Sequence, residues 1–264
     1  MIFCRPKLYA SIVFIFCLQT TFGQSPIQVE QKLLASFNKI IYWAEHRETT
    51  EKVSPYDSLT QTNEIFLKGL LRYTKIPGTL GYTIKKLQNQ GVTIATSEDG
   101  LFRIYSWDTE TGGTMHIFYT VYQYKSNGKV YSRTPAYMNT EGDAGCFYSN
   151  IYSLHANDKT YYLAVSHAIL STRDAAQSIN AFCIEDHKLN DTVRLIKTQT
   201  RLTNELALEF DFFSVMNHKE RPVKLFYYDT NKKTIKFPVV TEKSVVTNKF
   251  ITYVFTGKYF EKMK

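Results

Sequence analysis

The chain has 264 residues, a formal net charge of +8 and 15% aromatic residues. This length supports one large domain, or a helical segment plus a β domain, with a hydrophobic core that does not require disulfide bonds. Lys and Arg are scattered along the chain without a basic block, so we expect no nucleic-acid partner. The sequence lacks a Gly-rich phosphate loop, a zinc motif and an acidic calcium loop, and it therefore predicts neither a cofactor nor a metal.

The first 23 residues are typical of a cleavable secretory signal. Arg5 and Lys7 precede an uncharged apolar run at 8–18, which is long enough for a signal core and too short to span a bilayer. Thr21 and Gly23 place small residues where a signal peptidase needs them, which predicts a cut after Gly23. We therefore predict a secreted or periplasmic protein without a transmembrane segment.

Cleavage would remove two basic residues and lower the formal net charge from +8 to +6. This balance is compatible with an anionic envelope polymer or glycan as a partner, and also with a surface charge that only keeps the protein in solution. The alternative reading of the N-terminus is a lipoprotein acylated at Cys17. The bulky Phe16 disfavours that reading because such processing requires a small residue at this position.

The hydrophobic pattern changes from helical to extended near residue 90. Apolar residues recur at three- and four-residue spacings in 27–46 and after the start signal at Pro55, and 79–90 is a third candidate helix. From Val92 onward, short β-branched and aromatic runs alternate with turns. The predicted strands are 92–97, 101–107, 114–125, 129–137, 160–167, 178–185, 192–198, 206–216, 223–229, 233–240 and 249–256.

This pattern predicts an α+β fold. A helical segment at 24–90 precedes a predominantly antiparallel β domain at 91–264. The number of strands suits a sandwich, an open barrel or a propeller-like array, and no internal repeat distinguishes among them.

Cys146 and Cys183 are the cysteines that remain after signal cleavage. In an oxidising compartment they could form a disulfide that closes a loop of 37 residues. The alternative is two separate thiols, with Cys183 acting as a small hydrophobe in a strand. Both readings stay open because the sequence does not give the distance between the two positions.

The segment from Leu101 to His116 holds the candidate ligand-binding residues. On an extended strand, Arg103, Tyr105 and Trp107 point to one face, where the rings could stack on a sugar and the guanidinium could bind a hydroxyl or a carboxylate. The alternative is an Arg packed against aromatic neighbours in an ordinary cross-strand ladder.

Two pairs of residues are weak candidates for catalysis. Asp108 and His116 could act as acid and base, although no Gly-x-Ser-x-Gly motif supplies a nucleophile. Glu209 and Asp211 share a strand face about 7 Å apart, a separation that inverting glycosidases use. Alternating acids are also typical of the solvent face of a half-buried strand.

One segment supports a resemblance. The run from Phe102 to Asp108 (FRIYSWD), the run from Gly112 to His116 (GGTMH) and the signal ending at Gly23 resemble secreted proteins of Bacteroidota to which no activity is assigned. The resemblance implies a bacterial envelope or extracellular location and transfers no catalytic residue.

These observations together predict a non-enzymatic binding protein for a glycan or an envelope ligand. The alternative is a secreted, glycosidase-like hydrolase that uses carboxylates of the β domain. The sequence does not decide whether the chain is an enzyme, nor does it give the oligomeric state.

Overall fold

The computed structural model describes residues 24–47, 54–139 and 142–264. The predicted signal at 1–23, together with the lipoprotein alternative, lies outside these residues. The described part begins with three helices, α1 (Pro26–Glu45), α2 (Pro55–Tyr73) and α3 (Lys85–Asn89). None of these helices is both long enough and apolar enough to cross a membrane.

Local sequence signals account for where the helices begin. Ser25 and Gln28 form a reciprocal capping box at the start of α1, and Pro26 occupies its first turn. Ser54 caps α2 through its side chain, which accepts from the Asp57 N–H, and Pro55 lies at the start of the helix. The helix predicted at 79–90 is shorter, because the Thr79 hydroxyl bonds the carbonyls of residues 74 and 76 and holds the preceding segment in turns.

The described β residues form three sheets. Their strands are β1 (Thr93–Thr96), β2 (Phe102–Asp108), β3 (Phe118–Ser126), β4 (Lys129–Arg133), β5 (Phe147–Ala156), β6 (Lys159–Ile169), β7 (Asp174–Glu185), β8 (Lys188–Asn190), β9 (Ile196–Lys197), β10 (Leu202–Thr203), β11 (Glu205–Asp211), β12 (Tyr227–Asp229), β13 (Thr234–Val240), β14 (Val246–Phe255) and β15 (Phe260–Lys262). The first sheet has the order β1-β2-β3-β4. The second has the order β11-β7-β6-β5, with β8 beside β7, and the third has the order β10-β9-β15-β14-β13-β12.

Pairing between neighbouring strands is antiparallel except between β15 and β9, which confirms the predicted α+β class. One of the sheets is curled into a half-barrel. The sequence reading missed β5, a strand of ten residues. A register shift between Tyr148 and Asn150 interrupts its two-residue period, and this hides the strand from a reading based on alternation.

Hydrophobic clusters join the helices and sheets into successive layers. The helices cover one face of the first sheet, with Leu33 and Phe66 packing in the same cluster as Trp107. The opposite face of that sheet packs on the second sheet through aromatic residues such as Phe102 and Phe182. The second and third sheets share a further cluster. The first two sheets are therefore covered on both faces over much of their area, whereas the third has one outward face.

The two cysteines do not form a disulfide in the structure. Cys146 and Ile184 both pack against the cluster that contains Phe182. Cys183 lies between Phe182 and Ile184 on β7 and therefore points to the opposite face of the sheet. Burial raises the pKa of the Cys183 thiol to about 11. Of the two interpretations of the sequence, the structure therefore matches the one in which Cys146 and Cys183 are not bridged to each other.

Candidate functional site

The predicted ligand-binding face of β2 is buried beneath the helices. Arg103, Tyr105 and Trp107 are 6%, 0% and 1% exposed, respectively. All three do share a strand face, as the alternation predicts, but α1, α2 and the turns before α3 cover that face. The expectation of an open platform at these residues is therefore corrected: the rings contact the protein's own helical layer.

Specific hydrogen bonds fix this contact. The Trp107 indole Nε1 donates to Asn63 Oδ1 on α2 at 2.9 Å. Arg103 donates to the carbonyl oxygens of Thr79 and Tyr82 at 3.1 and 2.9 Å. The Tyr105 hydroxyl donates to a buried glutamine of β3 at 2.8 Å, and burial raises the pKa of Tyr105. Trp107 therefore ties α2 to the first sheet and Arg103 ties the turns before α3 to it, whereas the Tyr105 hydrogen bond joins two strands of the sheet.

Asp108 and His116 do come together. His116 Nδ1 hydrogen-bonds Asp108 Oδ2, and both side chains are partly exposed. The other carboxylate oxygen of Asp108 accepts from the backbone N–H of Glu110 at 2.9 Å. In acyl-transfer enzymes a carboxylate orients a histidine, and that histidine takes the proton of a nucleophile. Asp108 and His116 correspond to the first two of these three groups. The described contacts include no nucleophile hydrogen-bonded to this histidine.

Glu209 and Asp211 lie on β11 but have different surroundings. Asp211 is buried, accepts from Arg173 Nε at 2.9 Å and caps the next turn through the Phe213 N–H. Glu209 is exposed. Because Asp211 is committed to these structural contacts, the pair lacks two available carboxylates facing a shared substrate site.

Ser149 and His167, which were not predicted as a pair, lie between the second and third sheets. Ser149 is the extra residue at the β5 register shift, and its Oγ lies 2.7 Å from His167 Nε2. Gln177 Oε1 accepts from two backbone N–H groups, so its Nε2 faces His167 Nδ1 at 3.2 Å. Nδ1 must then accept, and Nε2 donates its proton to Ser149. In this tautomer the histidine cannot take a proton from Ser149, and burial lowers the pKa of His167 to about 4.

Exposed aromatic and cationic side chains occur instead on the third sheet. We define the outer face as Tyr227, Lys236, Phe250, Thr252 and Met263, which line a groove of about 580 Å³. Tyr227, Lys236 and Thr252 are direct cross-strand neighbours, and the Met263 N–H bonds the Thr252 carbonyl. Tyr227, Phe250 and Met263 are 39%, 45% and 52% exposed.

The charge along the groove of the outer face is mainly positive, because Lys232 and Lys236 line it together with one acid, Asp229. Lys236 Nζ lies 4.2 Å from the centroid of the Phe250 ring, and Lys224 Nζ lies 5.3 Å from that of Tyr227. Neither ammonium forms an ion pair with a carboxylate in the described ranges. Both charges therefore remain available to an anionic ligand that stacks on the rings.

A second concave region lies on the second sheet. Small side chains of β6, β7 and β11, such as Ala168, Ala176 and Ala207, leave a trough of about 300 Å³ beside the aromatic cluster. We define the trough by six of its polar lining residues, which are Asp143, Tyr148, Ser166, Ser178, Asn180 and Glu205. Among the residues that the structure describes, no group of three or more His, Cys, Asp or Glu is arranged to hold a metal ion.

Comparisons with known proteins do not indicate a function for these sites. No protein-family model matches the chain, and no curated protein matches it. The fold defines a layered α+β protein, and function has to be argued from its sites, of which the outer face and the trough are described above.

The residues of the outer face were not predicted, although the alternation of side chains along three predicted strands indicated them. The predicted strands 223–229, 233–240 and 249–256 correspond to β12, β13 and β14. Alternation from Tyr227, Lys236 and Phe250 would have placed each of them on a strand face opposite to apolar neighbours. The missing information was which strand faces another layer would cover.

Proposed function

We propose that the protein is a non-enzymatic binding protein whose outer face holds an anionic glycan. One observation carries the proposal: an exposed Phe250 ring lies 4.2 Å from the ammonium of Lys236, which has no carboxylate partner in the described part of the chain. Aromatic faces stack on the apolar faces of sugar rings, and a neighbouring cation attracts an acidic sugar. A uronic-acid polymer has both features.

Binding of oligogalacturonate, measured by calorimetry, tests this proposal, with a neutral galactose oligomer of equal length as the reference ligand. We expect Phe250→Ala and Lys236→Gln each to weaken oligogalacturonate binding about tenfold, which corresponds to about 1.4 kcal/mol. We also expect the wild-type affinity to fall as salt is added, because exposed charges are screened.

Tyr56→Ala is the matched control, because Tyr56 is an exposed aromatic residue on α2, outside the groove. Its affinity should equal that of the wild type. Absence of saturable binding, equal affinity for the neutral oligomer, or unchanged affinity in Phe250→Ala would each contradict the proposal.

We further propose that the protein acts outside the cytoplasm after cleavage behind Gly23. The support is the signal-like pattern of residues 1–23. Mass spectrometry of the protein from fractionated native cells should find Gln24 at the N-terminus. An intact Met1 on cytosolic protein would contradict this location.

The second candidate function is hydrolysis, and the hydrogen bond between His116 and Asp108 is the observation that favours it. A screen with chromogenic glycosides and esters tests it. Turnover that is lost in both His116→Gln and Asp108→Asn, while folding is retained, would support hydrolysis. Absence of turnover by the wild type would count against it.

A further inference from the structure

The polar floor of the trough is formed by three side chains on two adjacent strands. Ser166 on β6 and Ser178 on β7 are direct cross-strand partners, and their hydroxyl oxygens lie 2.6 Å apart. Asn180, two residues along β7, places its Nδ2 3.1 Å from Ser166 Oγ and 2.7 Å from Ser178 Oγ. The two serines are buried, so these contacts are kept away from bulk water.

Counting protons fixes the orientation of the Asn180 amide. Three hydrogen bonds among these groups need three protons, and the two hydroxyls supply only two. The NH₂ group must therefore face the serines, because the opposite orientation would leave one close oxygen–oxygen contact without a proton. The arrangement leaves two groups uncommitted: the Asn180 Oδ1 acceptor and one serine hydroxyl proton.

The charged groups of the trough are all acidic. Glu205 on β11 is the direct cross-strand partner of Asn180, which places the two Cβ atoms about 5 Å apart. Asp143 lies on the loop before β5 and uses one oxygen to accept from the Gly145 N–H at 2.9 Å. Neither carboxylate forms an ion pair with a base in ranges 24–47, 54–139 and 142–264, and no Lys, Arg or His lines the trough.

We infer that the trough binds a small primary amine that also carries hydroxyl groups. The ammonium donates three hydrogen bonds, and the lining offers it the Glu205 and Asp143 carboxylates and the Asn180 carbonyl. The spare serine proton and the same carbonyl pair with a ligand hydroxyl, which is both a donor and an acceptor. The volume of about 300 Å³ is at the lower end of the range for ligand sites, which limits the ligand to a small molecule.

This site is separate from the outer face in both position and charge. The outer face is cationic and lies on the third sheet, whereas the trough is anionic and lies on the second. The trough therefore rejects the acidic sugars that the outer face is proposed to hold, and each site can be tested without the other.

Calorimetric titration of the purified protein at pH 6 with glucosamine, N-acetylglucosamine and glucose tests the inference. The three sugars share one ring and differ in carrying an ammonium, an amide or a hydroxyl group. We expect glucosamine to bind at least tenfold more tightly than the other two. We also expect Glu205→Gln and Asn180→Ala each to weaken glucosamine binding about tenfold.

Glu209→Gln is the matched control, because Glu209 is also exposed on β11 and faces the same side of the sheet but does not line the trough. It should bind glucosamine within twofold of the wild type, and so should Phe250→Ala. Equal affinity for the three sugars would show a neutral sugar site and overturn the inference. Failure of glucosamine to bind, or equal losses in Glu205→Gln and Glu209→Gln, would overturn it as well.

Discussion

Strand β2 and the outer face contain the same kinds of side chain but have opposite environments. In β2, Arg103 shares a face with Trp107, and the helices bury both. On the outer face, Lys236 lies over Phe250, and no layer of the described residues covers them. The difference shows that aromatic and cationic alternation along a strand describes which side chains share a face. It does not describe what the face contacts.

Removing the central ring of each region should give the largest difference in stability. Trp107→Ala creates a cavity and leaves Asn63 Oδ1 without its donor, so we expect the free energy of unfolding to fall by about 4 kcal/mol. Phe250→Ala removes a half-exposed ring and should cost less than about 1 kcal/mol. Urea unfolding monitored by far-ultraviolet circular dichroism measures both.

If Trp107→Ala does not fold, Trp107→Phe provides a milder version of the same test. It keeps most of the ring volume but loses the hydrogen bond to Asn63. Equal losses for substitutions of Trp107 and Phe250 would show that the helices do not cover β2 as described.

Burial should also make the protein sensitive to acid through His167. Its pKa is about 4 in the folded protein, compared with 6.5 for an unperturbed histidine, so the unfolded chain takes up more protons between these values. The corresponding stability is fully present above pH 6.5 and is lost as the pH falls to 4, and it amounts to about 3 kcal/mol.

Urea unfolding at several pH values between 7 and 4 measures this effect. His167→Gln should lose about 3 kcal/mol less stability over that range than the wild type, because the substitution removes the titrating group. The exposed His218 provides the matched control, and His218→Gln should follow the wild-type curve. A His167→Gln curve parallel to that of the wild type would contradict the assignment.

Local signals predicted much of the fold and little of the site. The apolar spacing in 27–46 predicted α1 and the start signal at Pro55 predicted the start of α2, because both signals act over a few helical turns. The change to a two-residue period near residue 92 predicted the antiparallel sheets, because that period depends only on neighbouring residues. The burial of Trp107 depends on Asn63, 44 residues away, and local alternation contains no such information.

The sequence did not predict the trough, for a related reason. Its lining joins Ser166, Ser178 and Glu205 across three strands, and polar residues separated by turns have no recognisable motif. The sequence analysis instead selected Glu209 on the same strand, because Glu209 and Asp211 are two residues apart and therefore share a strand face. Cross-strand register therefore decides which acid of β11 lies beside a concave surface.

The smallest effect that we expect is the difference in stability between substitutions of Arg103 and of Lys236. Arg103→Met leaves the Tyr82 carbonyl without its donor and takes one of two donors from the Thr79 carbonyl, which keeps the Tyr82 N–H, while it also removes the cost of burying a charge. We expect a net loss of about 2 kcal/mol in the free energy of unfolding. Lys236→Met should change it by less than about 0.5 kcal/mol, because an exposed ammonium gives up little when it is replaced. The same urea titrations measure both variants, and a loss in Lys236→Met that matched the loss in Arg103→Met would show that the outer face supports the fold rather than being available to a ligand.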